Sequence, residues 1–469
     1  MSPPAASAGG TGATGMDGQA TGDDRPLEFA DLAAHLASGC KPRAEHRVGA
    51  EHEKLLFRRE DLRRPSYEGA GGVQALLEGF GRFGWEPVWE ENRHGRMRIG
   101  AKRGGANLSL EPGGQFELSG APLDSPEANA AEVARHLAES AELGAELGLG
   151  FAGLGHDPLW SRADVPIMPK ARYDIMRAYM PKVGGLGLDM MLRTCTVQAN
   201  LDFASEADMA AKFRVSLALQ PLATALFANS PFVEGKPTGW LSTRARVWTD
   251  TDADRTGLLA FVFEDGFGFE RYARWALDTP MYFVKREGRY VDLAGRSFRA
   301  FMAGELPELP GERPTLHDWE DHLTTLFPEV RLKTYLEMRG ADMGSQAHLD
   351  ALPVFWAGLL YDEAALAAAW DLAKGWTRDD REALRLDAAR LGLAAEVAGR
   401  PLREIAREVV AIARQGLLAS GATAAGAGLL DVLAESAETG RTQADRWLEL
   451  YAGAWGGDVR PIYEAAALG

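Results

Sequence analysis

The sequence predicts an α+β protein in which an antiparallel sheet is covered by helices. Two observations lead to this fold class. Residues 47–339 mix strand-like alternation of apolar and polar residues with helical segments and Gly/Pro turns, whereas the chain beyond Pro353 is rich in Ala and Leu with helical periodicity. Strands gathered in one part of a chain and helices in another are typical of the α+β class. We expect the C-terminal helices to cover one side of the sheet.

The domain organisation follows from composition. Residues 1–25 are mostly Ala, Gly, Ser, Thr and Pro without an apolar period, so we expect a disordered N-terminal extension. No long linker or internal repeat interrupts residues 26–469, which we interpret as a single domain with a helix-rich C-terminal part from about residue 353; a separate helical domain is the alternative.

Helix signals can be placed in order along this domain. Apolar spacing predicts an amphipathic helix over residues 27–38, and Ser125 followed by Pro126 predicts the start of a long helix. Another helix is expected over residues 203–226. The C-terminal candidates are residues 363–370, 379–393, 402–418 and 441–454.

Composition excludes several classes of function. The chain has 51 Lys and Arg against 67 Asp and Glu, a net charge of −16, which argues against a general nucleic-acid binder because phosphate neutralisation needs a basic face. Two cysteines, Cys40 and Cys195, exclude a disulfide framework and a four-thiolate zinc site. The sequence has no uncharged apolar run of the roughly 18–20 residues that a membrane span requires.

Four predicted strands carry an unusual polar face. Side chains two residues apart share one face of a strand, so Glu51 and Glu53 lie side by side, and Gln198 and Asn200 share a face opposite Val197. The remaining polar positions on such faces are Tyr335, Glu337 and Arg339 in one strand, and Glu111 and Glu117 on either side of a Pro-Gly-Gly kink.

Two interpretations of these faces remain open. They could be the solvated side of an ordinary antiparallel sheet. However, neighbouring carboxylates such as Glu51 and Glu53 repel, and carboxylates gathered against their repulsion usually hold a cation. Oxygen ligands favour Mg²⁺ or Mn²⁺ over zinc, and Mg²⁺ prefers a few carboxylates plus substrate phosphates. The set therefore indicates a nucleotide-dependent phosphoryl-transfer site.

Arginines between residues 244 and 255 add basic groups. The planar guanidinium forms two parallel hydrogen bonds to a carboxylate or phosphate, which makes Arg244, Arg246 and Arg255 candidate anion-binding residues. The alternative is surface ion pairing with the aspartates at 250, 252 and 254.

Several sequence runs resemble plant-type glutamate–cysteine ligase, a family found in plants and many proteobacteria. The resemblance covers roughly residue 27 to the C-terminus. The runs that carry it are VGAEHEK from Val48, EPGGQFELSG from Glu111, MPK from Met168, RTCTVQANLDF from Arg193, WTDTD from Trp248, PEVRLK from Pro328 and YLEMRGAD from Tyr335.

The resemblance implies a fold and a set of metal ligands. The fold would be that of glutamine synthetase, a curved antiparallel sheet forming a funnel that is covered by helices, with two or three Mg²⁺ ions (Mn²⁺ is possible) on its polar inner face. The implied metal ligands are Glu51, Glu53, Glu111, Glu117, Gln198 and Glu337.

The implied reaction joins the γ-carboxylate of glutamate to the amine of cysteine through γ-glutamyl phosphate, with ATP converted to ADP, as the first step of glutathione synthesis. Arg339 and Arg255 are the candidates for the transferring phosphoryl group. The candidates for substrate binding are Arg244, Arg246 and Asn200, and those for ATP binding are Lys333 and Tyr335.

Alternatives to this function are a related ATP-dependent carboxylate–amine ligase with a different acceptor, and a non-catalytic nucleotide-binding homologue. We expect small-molecule substrates, no nucleic-acid or membrane partner, and a monomer or homodimer. Because residues 1–25 lack the features of a signal or transit peptide, we expect a cytoplasmic location. Cys195 falls on an apolar strand face, so a regulatory disulfide with Cys40 is not expected.

Overall fold

The computed structural model describes residues 26–469, so the predicted disorder of residues 1–25 lies outside the described residues. The strands are β1 Val48–Arg58, β2 Glu86–Asn92, β3 Gly95–Arg103, β4 Ala106–Leu110, β5 Phe116–Ser119, β6 Leu149–Ala152, β7 Thr196–Leu201, β8 Phe232–Val233, β9 Lys236–Pro237, β10 Thr256–Gly257, β11 Phe283–Arg286, β12 Arg289–Asp292, β13 Phe327–Pro328, β14 Val330–Leu332, β15 Leu336–Asp342, β16 Glu396–Val397 and β17 Arg400–Pro401.

The helices follow the same order. They are α1 Phe29–Ala37, α2 Val73–Gly79, α3 Pro126–Leu147, α4 Ala171–Tyr179, α5 Gly187–Arg193, α6 Glu206–Leu226, α7 Thr243–Trp248, α8 Phe269–Asp278, α9 Phe298–Ala303, α10 Leu316–Thr324, α11 Gln346–Leu360, α12 Glu363–Ala373, α13 Arg378–Leu391, α14 Leu402–Ala419, α15 Ala424–Gly428, α16 Asp431–Thr439, α17 Gln443–Ala452 and α18 Ile462–Ala465. Short 3₁₀ helices lie at Arg43–Glu45, Phe80–Phe83, Arg162–Asp164, Met180–Lys182, Ala260–Phe263 and Gly392–Ala394.

A nine-stranded sheet organises the described part of the chain. Its strand order is β14-β15-β7-β1-β5-β4-β3-β2, and β6 pairs with the C-terminal part of β1. Every pairing in this sheet is antiparallel. The predicted α+β class with an antiparallel sheet is therefore confirmed. The strands that carry the predicted polar faces, β15, β7, β1 and β5, are neighbours in this order. Glu111 follows the end of β4, which is the next strand after β5.

The other face of the sheet forms the core. Val197, Ala199 and Leu201 of β7 are fully buried, as alternation predicts. Helix α11 packs on β7 and β1, and α6 packs on β15. The apolar face is thus covered by a helix from the C-terminal part, as expected, together with one from the first half of the chain.

Helix boundaries show where local signals decide the structure. Helix α3 begins after Ser125, whose hydroxyl accepts a hydrogen bond from the backbone N–H of Ala128, as predicted. Helix α11, in contrast, begins at Gln346 and contains Pro353 in its interior, so the helix-rich part starts before the expected residue 353. Since most of α11 is buried, tertiary packing offsets the hydrogen bond that proline removes.

Two further expectations concern cysteines and membranes. Cys40 and Cys195 are both free thiols, and burial raises the pKa of Cys195 well above its ordinary value. Across residues 26–469, no single helix is long and apolar enough to cross a membrane, although the bent pair α11 and α12 would be by length and composition alone.

Candidate active site

Strand register brings the predicted polar side chains onto one face of the sheet. Glu51 of β1 lies opposite Gln198 of β7, and Glu53 lies opposite Glu117 of β5. In the next pair of strands, Asn200 of β7 lies opposite Glu337 of β15. Because neighbours in register point to the same side of a sheet, these side chains form one continuous polar face.

One end of this face is rich in carboxylates and will be called the acidic end. It consists of Glu51, Glu53, Glu111 and Glu117. Burial and the charges of Glu337 and Glu117 raise the pKa of Glu51 to about 7. Burial and the charge of Glu111 raise the pKa of Glu117 to about 7. Burial and the charges of Glu111 and Glu117 raise the pKa of Glu53 well above its ordinary value.

Few hydrogen bonds reach these carboxylates. Glu51 accepts one from the side-chain amide of Asn200 at 2.7 Å, and Glu53 accepts one from the backbone N–H of Thr196 at 3.0 Å. The hydroxyl of Ser119 is 3.5 Å from Glu117. Partly buried like charges with so few donors form an arrangement that a bound cation would stabilise.

The opposite end of the face has an excess of positive charge and will be called the basic end. It consists of Glu337 surrounded by Arg331, Lys333 and Arg339. The carboxylate of Glu337 is fully buried and lies 2.7 Å from Arg331, 3.3 Å from Lys333 and 2.6 Å from Arg339. Burial alone would raise the pKa of Glu337, but these three cations hold it well below its ordinary value.

Sequence reasoning missed Arg331. This residue lies in β14 opposite Glu337 of β15, and its guanidinium also donates to the backbone carbonyls of Thr324 and Leu326. Period-two alternation places Arg331 on the same face as Lys333, which was a signal available in the sequence. The register with Glu337, however, depends on a hairpin whose pairing is set in three dimensions.

Lys170 and Arg172 were also missed. The ammonium of Lys170 donates to the hydroxyl of Ser109 at 2.9 Å and to the carbonyl of Leu110 at 2.8 Å, next to the acidic end. Burial and the nearby Arg172 lower the pKa of Lys170 to about 8. The MPK run at residues 168–170 contributes to the family resemblance, but no role was predicted for Lys170. A loop has no periodicity from which the direction of its side chains could be predicted.

The predicted nucleotide-binding residues lie at the basic end. Lys333 and Tyr335 flank the turn between β14 and β15, and the ammonium of Lys333 is 4.8 Å from the centre of the Tyr335 ring. The carboxylate of Glu337 therefore orders a group of cations that is available to a polyanion.

The two candidates for carboxylate binding in α7 have different environments. Arg244 is 2% exposed, and its Nη2 donates to the carbonyl of Arg339 at 2.8 Å, which connects it to the polar face. The guanidinium of Arg246 instead donates to the hydroxyl of Thr249 at 2.8 Å and stacks against Trp240. The structure brings Arg244 to the site but not Arg246.

Arg255 is not brought to the polar face. Its Nε donates to Asp252 at 2.6 Å, its Nη1 to the carbonyl of Thr325 at 3.1 Å and its Nη2 to the carbonyl of Pro280 at 2.8 Å. The guanidinium is fully buried over the ring of Tyr282, 4.0 Å from its centre. Arg255 thus connects three loops, and the structure does not bring it to the predicted phosphoryl site. The alternative of a surface ion pair also fails, because the pair with Asp252 is buried.

The donor set fits Mg²⁺. In residues 26–469, no three His, Cys, Asp or Glu side chains already surround one metal position. Mg²⁺ does not need such a cage, because it binds through one or two carboxylates and completes its shell with water and phosphate. The acidic end offers carboxylate oxygens of this kind as ligands. Within the described residues, Oδ1 of Asn200 is also buried without a hydrogen-bond partner.

The fold and this charged face are those of an enzyme, a ligase that joins a carboxylate to an amine. The chain belongs to glutamate-cysteine ligase family 2, whose family model matches residues 47–465. The predicted family and the predicted activity, a glutamate–cysteine ligase of glutathione synthesis, are confirmed.

Curated relatives that are glutamate–cysteine ligases match nearly the whole chain. The chain is 55% identical over 440 residues to the chloroplastic glutamate–cysteine ligase of Arabidopsis thaliana, with 94% of this chain and 83% of the relative covered. It is 54% identical over the same length to the chloroplastic enzyme of Nicotiana tabacum, with 94% and 83% covered. A glutamate–cysteine ligase from Francisella tularensis, solved in complex with AMP, has the same fold: the TM-score is 0.53 at 13% identity, with 90% of this chain and 87% of that chain covered.

These relatives correct one expectation. We expected a cytoplasmic location from the composition of residues 1–25, whereas the relatives from Arabidopsis thaliana, Brassica juncea, Nicotiana tabacum, Solanum lycopersicum and Medicago truncatula are chloroplastic proteins. The expectation of a cytoplasmic location is therefore wrong.

Proposed function

We propose that this ligase uses ATP and Mg²⁺ to convert glutamate into γ-glutamyl phosphate and then transfers the γ-glutamyl group to the amine of cysteine. One observation supports this proposal above the others: a single sheet face carries clustered, largely enclosed carboxylates at its acidic end and clustered cations around Glu337 at its basic end. Such a polarised face suits a magnesium-bound polyanion. Residues 26–469 would act as one catalytic domain.

The acidic end would hold the metal ions. Glu51, Glu53, Glu111, Glu117 and Gln198 are the proposed ligands for two or three Mg²⁺ ions, with Mn²⁺ as a possible substitute. When bound, the ions neutralise phosphate charge. Glu337 differs from the others because its carboxylate already contacts three cations, so its main role would be to order Arg331, Lys333 and Arg339.

The basic end would bind ATP. Arg339 and Lys333 would contact phosphate oxygens, and Tyr335 would line the nucleotide site beside Lys333. Both cations are held in place by Glu337, so little reorganisation is needed when negative charge develops on the transferring phosphoryl group.

Glutamate would lie between the two ends. Arg244 would bind its α-carboxylate, and Asn200, which already donates to Glu51, would be a neighbouring polar contact. In the first step, an oxygen of the γ-carboxylate attacks the γ-phosphorus of ATP, the bridging P–O bond breaks, and ADP leaves. In the second, the cysteine nitrogen attacks the acyl carbon and phosphate leaves with the C–O electron pair. The ammonium gives up two protons, one to the phosphate and one to water.

The deciding experiment measures ADP release from ATP with glutamate and Mg²⁺, with and without cysteine. We expect cysteine-dependent turnover that stops when EDTA removes the metal. Glu53→Gln should lose this turnover, whereas Glu60→Gln, which changes an exposed glutamate two residues beyond the end of β1, should not. Turnover with another amine but not with cysteine would instead support the alternative acceptor. Metal-independent turnover would refute the metal assignment.

A further inference from the structure

Strand β15 is irregular at Arg339, the residue that the proposed function assigns to the phosphoryl group. Between Met338 and Ala341 its pairing with β7 shifts by one residue, so Arg339 and Gly340 together lie opposite one residue of β7. Such an extra residue is a β-bulge, which bends the strand and changes the direction of the side chains around it. Arg339 and Gly340 will be called the bulge.

The bulge changes which side chains reach the polar face. In a regular strand, residues an odd number apart point to opposite faces. Met338 and Ala341 are nevertheless both buried, each opposite a core residue of β7. The extra residue therefore brings Asp342 to the same face as Glu337 and Arg339.

Asp342 in turn holds the start of helix α7. Its carboxylate accepts hydrogen bonds from the hydroxyls of Ser230 at 2.6 Å and Ser242 at 2.7 Å, and Ser242 is the N-cap of α7. Helix α7 carries Arg244, whose guanidinium donates to the carbonyl of Arg339 at 2.8 Å. The bulge thus connects the two arginines of the proposed site.

One hydroxyl on the core side anchors the bulge. Thr224 of α6 is buried, and its hydroxyl donates to the carbonyl of Gly340 at 3.0 Å. A hydroxyl inside a helix commonly donates to the carbonyl four residues earlier, as Ser216 of α6 does to Lys212 at 2.8 Å. Thr224 therefore contributes its hydroxyl to β15 and not to its own helix.

Helix α6 lies tightly against the bulge. Gln220 precedes Thr224 by one helical turn, so both side chains lie on the same face of α6. A Cβ atom at Gly340 would lie 2.5 Å from Nε2 and 2.8 Å from Cγ of Gln220, and that side chain is buried. The glycine at this position lets α6 approach closely enough for the hydrogen bond from Thr224.

We propose that Thr224 is a positioning residue for Arg339. Its hydrogen bond fixes the backbone from which the guanidinium of Arg339 reaches the transferring phosphoryl group, so Thr224 acts on the reaction without touching a substrate. Glu337 and Gln198 hold the guanidinium itself, but they do not hold the strand behind it. The inference rests on the proposed function, in which Arg339 contacts the phosphoryl group.

The test compares two substitutions of Thr224. Thr224→Val keeps the shape but loses the donor, so kcat for cysteine-dependent ADP release should fall about tenfold to hundredfold, the effect of misplacing a reacting group by about 1 Å. KM for ATP should change less than about twofold, because the interaction is lost in the transition state. Thr224→Ser keeps the hydroxyl and should recover most of kcat. Ser216→Ala removes a hydroxyl that bonds within α6, and this matched control should leave kcat unchanged.

A double-variant cycle with Arg339→Lys separates positioning from a merely structural role. If Thr224 acts through Arg339, Thr224→Val should lower kcat by less than about twofold once residue 339 is lysine. If Thr224→Val fails to fold, Gly340→Ala displaces the bulge from its own side. Gly340→Ala should also lower kcat, and Gln220→Ala in the same chain should recover part of the loss, because it removes the side chain that the new methyl group meets.

The outcomes distinguish the inference from the proposed function. Wild-type kcat in the folded variant, no recovery with Thr224→Ser, or a loss that multiplies with that of Arg339→Lys would overturn the inference and leave the proposed function intact. Full turnover of Arg339→Lys would refute the proposed contact between Arg339 and the phosphoryl group, and the inference with it. Absence of cysteine-dependent ADP release with the wild-type enzyme would refute the proposed function itself.

Discussion

The acidic and basic ends of the polar face contain the same residue type in opposite electrostatic states. At the acidic end, burial and neighbouring carboxylates raise the pKa of Glu51 and Glu117 to about 7. At the basic end, three cations hold the pKa of Glu337 well below its ordinary value. Glu117 at the acidic end and Glu337 at the basic end are both buried, so the difference between them comes from their neighbours rather than from solvent exposure.

This contrast shows what each end requires. The acidic end is incomplete without added positive charge, whereas the basic end has more cations than its one carboxylate neutralises. The proposed magnesium-bound nucleotide would supply a cation to the first and an anion to the second. An acidic protein with a net charge of −16 can thus bind a polyanion, although its overall charge argues against nucleic acid.

The largest effect is expected at the basic end. Glu337→Gln leaves the buried Arg331 and the partly buried Lys333 and Arg339 without their carboxylate, and breaking a buried ion pair costs about 3–5 kcal/mol. We expect loss of turnover and a lower free energy of unfolding, measured by urea denaturation. Glu312→Gln, which changes a more exposed partner of Arg286, is the control and should be nearly neutral. Unchanged stability of Glu337→Gln would show that the three cations do not depend on Glu337.

A substitution at the acidic end should separate activity from stability. Glu117→Gln removes a proposed metal ligand, so turnover should fall by more than about 100-fold, the upper end of the losses seen when groups behind metal ligands are altered. The metal-free protein should be no less stable than the wild type, since a buried charge and its repulsion with Glu53 and Glu111 are removed. Thermal unfolding in EDTA measures the stability of the metal-free variant. If Glu117→Gln destabilised the protein as much as Glu337→Gln does, the two ends of the polar face would not differ in the way described above.

The response to pH and Mg²⁺ should follow from the raised pKa values. The pKa of Glu51 and Glu117 rises from an ordinary 4.5 to about 7 on folding, so the folded chain binds more protons than the unfolded chain between these values. Stability of the metal-free protein should therefore fall as pH rises from about 4.5 to about 7. At pH 8, Mg²⁺ at about 100 times its Kd should restore about 2.7 kcal/mol. If the stability of the metal-free protein rose between pH 4.5 and 7, the raised pKa values of Glu51 and Glu117 would be refuted.

The sequence was sufficient to predict the two faces of the sheet, because alternation along a strand is a local property. Val197 and Ala199 are buried while Gln198 faces the site, as the period of two requires. The start of α3 at Ser125 was predictable for the same reason, since an N-cap acts within one helical turn.

Contacts between distant segments could not be predicted in this way. Arg331 reaches Glu337 through strand pairing, and Lys170 reaches the acidic end from a loop. Arg255 looked like an anion-binding residue because a sequence shows the guanidinium but not the carbonyls of Thr325 and Pro280 that occupy it.

The smallest effect is expected in α7, where two arginines two residues apart differ in role. Arg246 donates to Thr249 and stacks on Trp240, away from the polar face, so Arg246→Ala should change KM for glutamate less than twofold and stability by no more than about 0.5 kcal/mol. Arg244→Lys keeps the charge but loses the planar fork, and it should raise KM for glutamate about tenfold or more. Initial rates over a range of glutamate concentrations test both. If Arg246→Ala had the larger effect, the glutamate carboxylate would have to bind on the Trp240 side of α7, and the connection from Arg244 through Arg339 to the polar face would not be part of the site.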